Sequence, residues 1–299
     1  MVMRVATFAL SNSLLNYALT TQAKLAEKQT QEASGLISSD YGGLGTDAGK
    51  LVDLEVSLAR ANSYSSAAEQ ATNRVEVMYS ATGSIVDALT QARTEVSAAS
   101  VDTSDIDTLQ DLAASLLEEV ESLLNTQYEG RYLFAGSNTQ EAPVDLDSYT
   151  GGSDLDTADT SYYTGDDTII TVQVGSDRKV AYGVTADNDA FEQTIRALSY
   201  IADADELTSD DLTAISEMLV DAQDAVIAIQ SGLSLSASAL ENAQTEQENF
   251  IALTETSIDD TRSADLASVA VAVAQYETQL EASYAAVGKL SSLSLLDYL

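Results

Sequence analysis

Proline occurs once among the 299 residues, at Pro143, and this scarcity constrains the fold more than any other feature of the sequence. Proline removes a backbone donor and breaks helices, so the stretches on either side of Pro143 are free to form very long ones. On both sides the apolar residues recur at alternating steps of three and four, a period near 3.5 that is typical of coiled coils. The sequence therefore predicts a mainly helical chain that is interrupted near its middle.

The heptad pattern divides this chain into separate helices. One apolar stripe predicts a long helix over about residues 47–99, and a second predicts another over about residues 212–257. A shorter helix is predicted over residues 106–123. A further helix follows "DNDAFEQ", where Asp189 and Glu192 fit a capping box at its first turn.

The segment from residue 129 onward has a different residue composition. "RYLFAGS", "SYYTGDDTIITVQVG" and "RKVAYGVTA" are rich in Tyr, Val, Ile and Thr and are separated by Gly and Asp turns, which is typical of strands. The predicted fold class is therefore mainly α with a β insert: a long antiparallel, coiled-coil-like helical rod that carries a small β-rich outer domain. The predicted segments are an N-terminal helix and break over 1–45, a rod over 46–128, the β-rich domain over 129–190, a returning rod over 191–257 and a C-terminal helix over 258–299.

The two ends of the chain mirror each other. Helical stretches over about residues 3–33 and 264–297 carry apolar stripes, and each is set off by a polar or Gly-rich break, "SGLISSDYGGLG" or "TSIDDTRSAD". Two such helices cannot hide their apolar residues on all sides, and apolar patches left in water mark association sites. The predicted assembly interface comprises Phe8, Leu14, Leu15, Ala18, Leu25, Leu266, Val269, Val273, Tyr276, Leu280, Val287, Leu290, Leu293, Leu295, Leu296, Tyr298 and Leu299. The alternative is that these residues fold back onto the chain's own rods.

The charge of the chain excludes several partners. The sequence has 13 Lys and Arg against 48 Asp and Glu, a formal net charge of −35. Nucleic acids and anionic membrane surfaces would repel such a chain. No run approaches the ~20 apolar residues of a membrane span, and the N-terminal stretch lacks the pattern of a cleaved secretory signal. We therefore expect no nucleic-acid binding, no membrane insertion and no Sec-type export.

Residue chemistry offers no catalytic, cofactor or metal site. The sequence contains no Cys and no His, so it has neither a disulfide, nor a Cys/His zinc site, nor the base of a Ser-His-Asp triad. The Asp-rich loop "DLDSYTGGSDLDTADT" at 145–160 invites comparison with calcium loops, but Tyr149 occupies a ligand position of the EF-hand pattern. A solvated surface loop is the prediction there, with weak Ca²⁺ binding as the competing hypothesis.

Three stretches carry a resemblance to a known family. These are "YEGRYLFAGSNTQEAP" at 128–143, "LSSLSLLDYL" at 290–299 and the β-rich stretch at 162–198. Together with the helical layout they resemble the flagellin superfamily, and most closely its hook–filament junction branch, the hook-associated protein 3 family. A departure is the segment "ASGLISSDYGGLGTDAG", in which a Tyr-Gly-Gly turn replaces the Asp-rich turn of many flagellins.

The resemblance implies a flagellin-like core and a non-enzymatic structural role in the extracellular bacterial flagellum. It further implies type III export without a cleaved signal peptide, an export chaperone, self-assembly into a ring or tube, and contacts with flagellin and a neighbouring hook-associated protein. Two other functions remain open at this point: a minor flagellin of the filament, and a secreted helical adhesin-like module whose β domain binds a ligand. A hydrolase using paired carboxylates is the remote enzymatic alternative.

Overall fold

The computed structural model describes residues 2–99, 103–152 and 154–292, with the backbone only for residues 2–8, 103–104 and 290–292. Within these ranges the chain is mainly helical, as the sequence predicts. The α-helices are α1 (Val2–Ser34), α2 (Asp47–Ala98), α3 (Thr103–Leu124), α4 (Asp189–Asp203), α5 (Ser209–Arg262) and α6 (Leu266–Ser292). Short 3₁₀ helices span Tyr41–Leu44 and Leu146–Ser148.

Two small antiparallel hairpins form the β part of the described chain. Strands β1 (Gln127–Tyr128) and β2 (Arg131–Tyr132) pair across a two-residue turn, and β3 (Thr171–Gln173) pairs with β4 (Lys179–Ala181). The turn residues Glu129 and Gly130 have φ values of 52° and 72°, the left-handed conformation that tight hairpins require. The predicted mainly α fold with a β insert is confirmed.

The strands are shorter than the predicted stretches, because much of the intervening chain bonds to its own side chains. Asn125, just after α3, uses its amide to bond both the N–H and the carbonyl of Val144. Asp166 accepts from the backbone of Ser137 and Thr168, and this holds two loops together. Asp, Asn, Ser and Thr compete with the strand ladder by such local hydrogen bonds.

The chain divides into two compact units, and the larger comprises residues 60–251. Its core contains the heptad residues of α2 and α5, one face of α3 and most of α4. The insert contributes Phe134 and Tyr162, both fully buried. The Phe134 ring meets the edge of Phe191 on α4 at a centroid distance of 5.9 Å, and the Tyr162 hydroxyl donates to the carbonyl of Ala186 at 3.0 Å. Packing of the insert against α4 therefore defines this part of the core.

The start of α4 differs from the predicted capping box. Asn188 is the N-cap, and its side chain accepts from the N–H of Ala190 at 3.1 Å. Glu192 is instead buried and lies 3.2 Å from Arg196, one helical turn further on. The prediction was wrong by one residue, because Asn and Asp are equally good caps and occur side by side in this sequence.

The smaller unit comprises residues 1–59 and 252–299 and contains α1, α6 and the adjoining parts of α2 and α5. Helices α1 and α6 pack against each other in antiparallel orientation, starting from a bridge between Leu36 and Ser263. A small separate core of Leu44, Leu51 and Ile258 lies beside the break between α1 and α2. The five predicted segments are a finer division than these two units and stay a prediction.

Candidate assembly surface

Helices α1 and α6 meet along a heptad seam. On α1 the residues turned away from solvent follow steps of three and four, and Ala18 and Leu25 are the most buried apolar residues among them. On α6 the same alternation begins at Val269 and continues through half-buried side chains. The seam residues are Ser11, Leu14, Ala18, Thr21, Leu25 and Lys28 of α1 and Val269, Val273, Tyr276, Leu280, Ser283 and Val287 of α6. This alternation is the packing geometry of a two-stranded coiled coil.

Large apolar side chains remain exposed on α1 outside this seam. Leu10 and Tyr17 are seven residues apart and form one stripe, and Tyr17 is 67% exposed. Leu15 and Leu19 are four residues apart and form another stripe. With about 3.6 residues per turn, the two stripes lie on opposite flanks of the seam. Helix α1 therefore presents apolar surface on two sides after α6 has covered a third.

Helix α6 is exposed in the same way. Leu266 and Tyr284 lie beside its seam, and each exposes about half of its side chain. Val271 lies on the far side of the helix and is 69% exposed. We define the outer apolar surface as Leu10, Leu15, Tyr17 and Leu19 of α1 with Leu266, Val271 and Tyr284 of α6. Helices with apolar residues all round are normally covered by other helices, so this surface is suited to contact with further protein.

The α1–α6 pair is electrically neutral in a strongly acidic chain. Helix α1 carries Arg4, Lys24 and Lys28 against Glu27 and Glu32, a net charge of +1. Helix α6 carries Lys289 against Glu277 and Glu281, a net charge of −1, so the pair sums to zero. The whole formal charge of −35 therefore resides in the rest of the chain. Two copies of this chain would therefore repel each other least if the contact between them were made by these two helices.

The predicted interface residues fall into three groups. Leu14, Ala18, Leu25, Val269, Val273, Tyr276, Leu280 and Val287 lie in the seam within one chain. Leu15 and Leu266 lie on the outer apolar surface. Phe8 and Leu290 lie on α1 and α6, where only the backbone is described, and Leu293, Leu295, Leu296, Tyr298 and Leu299 lie outside the described residues.

The sequence analysis did not single out five residues of the outer apolar surface, namely Leu10, Tyr17, Leu19, Val271 and Tyr284. The sequence does mark these five residues, because each is a large apolar residue at a heptad position outside the seam. In a soluble coiled coil such positions are mostly polar or charged. A search for apolar residues left over after the seam is assigned would have found them.

Local hydrogen bonds define where α1 ends and where α6 begins. Gly35, with a φ of 71°, closes α1, and its N–H bonds the carbonyl of Gln31 at 2.9 Å. Asp265 caps α6 by accepting from the N–H groups of Ala267 and Ser268. The Ser268 hydroxyl also donates to this carboxylate, and these bonds hold the pKa of Asp265 below its usual value.

The Asp-rich loop at 145–160 uses its carboxylates for turns. Asp145 and Asp154 each accept from the N–H two residues further on. Asp159 accepts from the N–H of Ser161 at 2.8 Å, and this bond lowers its pKa. Among the described residues no group of three or more acidic side chains is arranged to hold a metal ion. In the same part of the chain, no helix is both long and apolar enough to cross a bilayer.

Comparisons with known proteins bear on both the sequence and the fold. Residues 5–139 match the family described as the bacterial flagellin N-terminal helical region. A comparison with curated protein sequences found no significant match.

Solved structures share the fold over most of the chain. A flagellar hook-associated protein from Vibrio parahaemolyticus is 16% identical, with a TM-score of 0.61, over 75% of this chain and 99% of its own. FlgL from Bacillus cereus is 16% identical with a TM-score of 0.56, over 69% of this chain and 99% of its own. FlgL from Xanthomonas campestris is 14% identical with a TM-score of 0.54, over the same shares. The N-terminal part of this chain is therefore similar to the bacterial flagellin N-terminal helical region, and the chain has the fold of these three solved structures.

Proposed function

We propose that this chain is a non-enzymatic structural subunit of the bacterial flagellum that joins the hook-associated proteins to the flagellin filament. Its partners are copies of itself, flagellin and a neighbouring hook-associated protein, outside the cell. An export chaperone would accompany it before secretion. The flagellin-type N-terminal region and the fold shared with hook-associated proteins and FlgL support this role.

The outer apolar surface of the α1–α6 pair is the observation that carries the proposal. It exposes large apolar side chains on several sides of a pair whose net charge is zero, in a chain of net charge −35. Burial of each large side chain contributes about 1.5–3 kcal/mol. Surfaces on opposite flanks contact two neighbours rather than one, which produces a ring or tube instead of a closed dimer.

A charge placed on this surface tests the self-assembly part of the proposal. Leu15→Asp puts a carboxylate on the outer apolar surface, and we expect it to abolish assembly as measured by sedimentation velocity. Because Leu15 is exposed in the single chain, its free energy of unfolding should change by no more than about 0.5 kcal/mol.

Leu235→Asp is the matched control, because Leu235 is 74% exposed on α5, outside the α1–α6 pair. This variant should assemble like the unmodified chain. If both variants lose assembly equally, or if neither does, the α1–α6 pair is not the assembly surface. Leu296→Asp, which lies outside the described residues, should behave like Leu15→Asp.

Deletion of the gene in the source bacterium tests the position in the flagellum. Loss of a junction subunit should release flagellin monomers into the medium. If filaments instead stay attached, the chain is a minor flagellin, and immunogold label should then run along the filament rather than mark its base.

A further inference from the structure

The hairpin of β3 and β4 buries one of its two faces. Val172 pairs with Val180 across the strands, and both side chains pack against the core of the larger unit. Val174, which follows β3, and Tyr182, which follows β4, continue the same face and are 1% and 3% exposed. Side chains two residues apart lie on one face of a strand. The hairpin therefore turns an apolar face towards the core and its other face towards solvent.

Next to its turn, the hairpin contacts α5. Gln247 Nε2 donates to the carbonyl of Val174 at 3.1 Å, and Arg178 Nη1 lies 3.0 Å from Glu246 Oε2. Gln247 is half-buried, whereas the side chains of the ion pair are largely exposed. Water screens exposed ion pairs, so they add little to stability. Gln247 is therefore the main polar anchor of the hairpin on α5.

At the opposite end, just beyond β4, the hairpin contacts α2. Arg74 Nη1 donates to the hydroxyl of Tyr182 at 3.2 Å. The backbone of Gly183, which has a φ of 96°, lies close to Met78: a Cβ at this position would stand 3.3 Å from Met78 Cε. Arg74 also lies 3.7 Å from Glu129 in the turn of the other hairpin. The β3–β4 hairpin thus contacts α2 at one end and α5 at the other.

The helical turns next to these contacts have small core residues. Ala68 and Ala71 are the buried apolar residues of α2 there, and Ala243 is buried on α5. Further along α2 the buried residues include Ile85 and Leu89. Since the free energy of burial scales with apolar area, an alanine methyl contributes much less than these larger side chains. The apolar face of the hairpin therefore adds burial where the helices supply less of it.

We propose that the β3–β4 hairpin is a clamp that holds the adjoining turns of α2 and α5 together. Its two anchoring hydrogen bonds are Arg74 to Tyr182 and Gln247 to the carbonyl of Val174. Helices open locally where few apolar contacts hold them, and the clamp suppresses that opening. The clamp lies within the larger unit, so its action does not depend on the conformation of α1 and α6. It also stands apart from the proposed function, because local opening is a property of the single chain.

Hydrogen exchange followed by mass spectrometry measures this opening in the full chain, in dilute solution where sedimentation shows a single monomeric species. Tyr182→Phe removes the acceptor of one anchoring hydrogen bond, and Gln247→Met removes the donor of the other. In the double variant we expect the backbone amides of residues 68–78 and 240–247 to exchange about tenfold faster than in the unmodified chain. The amides of α3 should keep their rates, because the opening is local.

Gln223→Met is the matched control. Gln223 of α5 donates to the hydroxyl of Thr90 at 2.9 Å, near the C-terminal end of α2 and away from the hairpin, so its loss should leave the exchange of residues 68–78 unchanged. Circular dichroism identifies any variant that fails to fold, and Tyr182→Phe alone, which removes a single hydroxyl, then decides the outcome by accelerating the same amides. Unchanged rates in the folded variants would overturn the proposal, and so would equal acceleration of α3 or an equal effect of the control.

Discussion

At the scale of single residues, one buried ion pair ties the insert to α4. Arg196 and Glu192 are 9% and 4% exposed, and their charged groups lie 3.2 Å apart. Arg196 also donates to the carbonyl of Leu155 at 2.8 Å, while Glu192 accepts from the N–H of Asp159 at 3.0 Å. The pair therefore holds the Asp-rich loop against the helix, and each charge depends on the other.

Removal of one partner should be costly. Arg196→Met leaves Glu192 buried without its counter-charge, and the expected loss is about 3–5 kcal/mol of unfolding free energy in urea denaturation. Arg178→Met is the control, because Arg178 pairs with Glu246 at 3.0 Å with both side chains largely exposed. Its expected cost is about 0–1 kcal/mol. Equal losses of unfolding free energy in the two variants would show that the buried Glu192–Arg196 pair stabilises the fold no more than an exposed pair does.

At the scale of elements, the heptad pattern predicted where the helices lie, but it did not identify the element that packs against each helix. Helices α2 and α5 were expected over residues 47–99 and 212–257, and they span Asp47–Ala98 and Ser209–Arg262. The pattern in α1 also predicted residues of an assembly interface, and of these Leu14, Ala18 and Leu25 lie in the seam with α6. A period of 3.5 shows that residues share a face, and it does not identify the partner of that face.

The start of α4 provides a test of an element boundary. Asn188→Ala removes the side chain that bonds the N–H of Ala190, so we expect a loss of about 0.5–2 kcal/mol in unfolding free energy. Asp189→Ala should cost less, because Asp189 is exposed in the first turn and acts through the helix dipole alone. Chemical denaturation of the two variants distinguishes the caps. A larger loss from Asp189→Ala would restore the capping box that the sequence predicted.

At the scale of the whole molecule, the charge is distributed unevenly. Residues 60–251 carry 7 Lys and Arg against 35 Asp and Glu by count along the sequence, a net charge of −28, whereas the α1–α6 pair is neutral. The repulsion between two copies therefore comes from residues outside the outer apolar surface. Salt screens such repulsion without weakening apolar contacts between the neutral helices.

Assembly should consequently weaken as salt is removed. Lowering the ionic strength from about 0.15 M to about 0.01 M lengthens the Debye length from about 8 Å to about 30 Å, so charges that were screened begin to repel. Sedimentation velocity should show fewer assembled copies at low salt, with Leu15→Asp as the unassembled baseline. Assembly that is indifferent to ionic strength would mean that the acidic residues point away from every contact.

The sequence by itself determined the helical class, the places where the helices break and the separation of charge, because these follow from proline content, period and residue type along the chain. Only the tertiary structure decided that Leu25 faces α6 while Leu15 faces outwards, and that Glu55 meets both Tyr41 and Arg262. These contacts join residues that are distant in sequence. Their partners are set by how the helices pack, which no local pattern records.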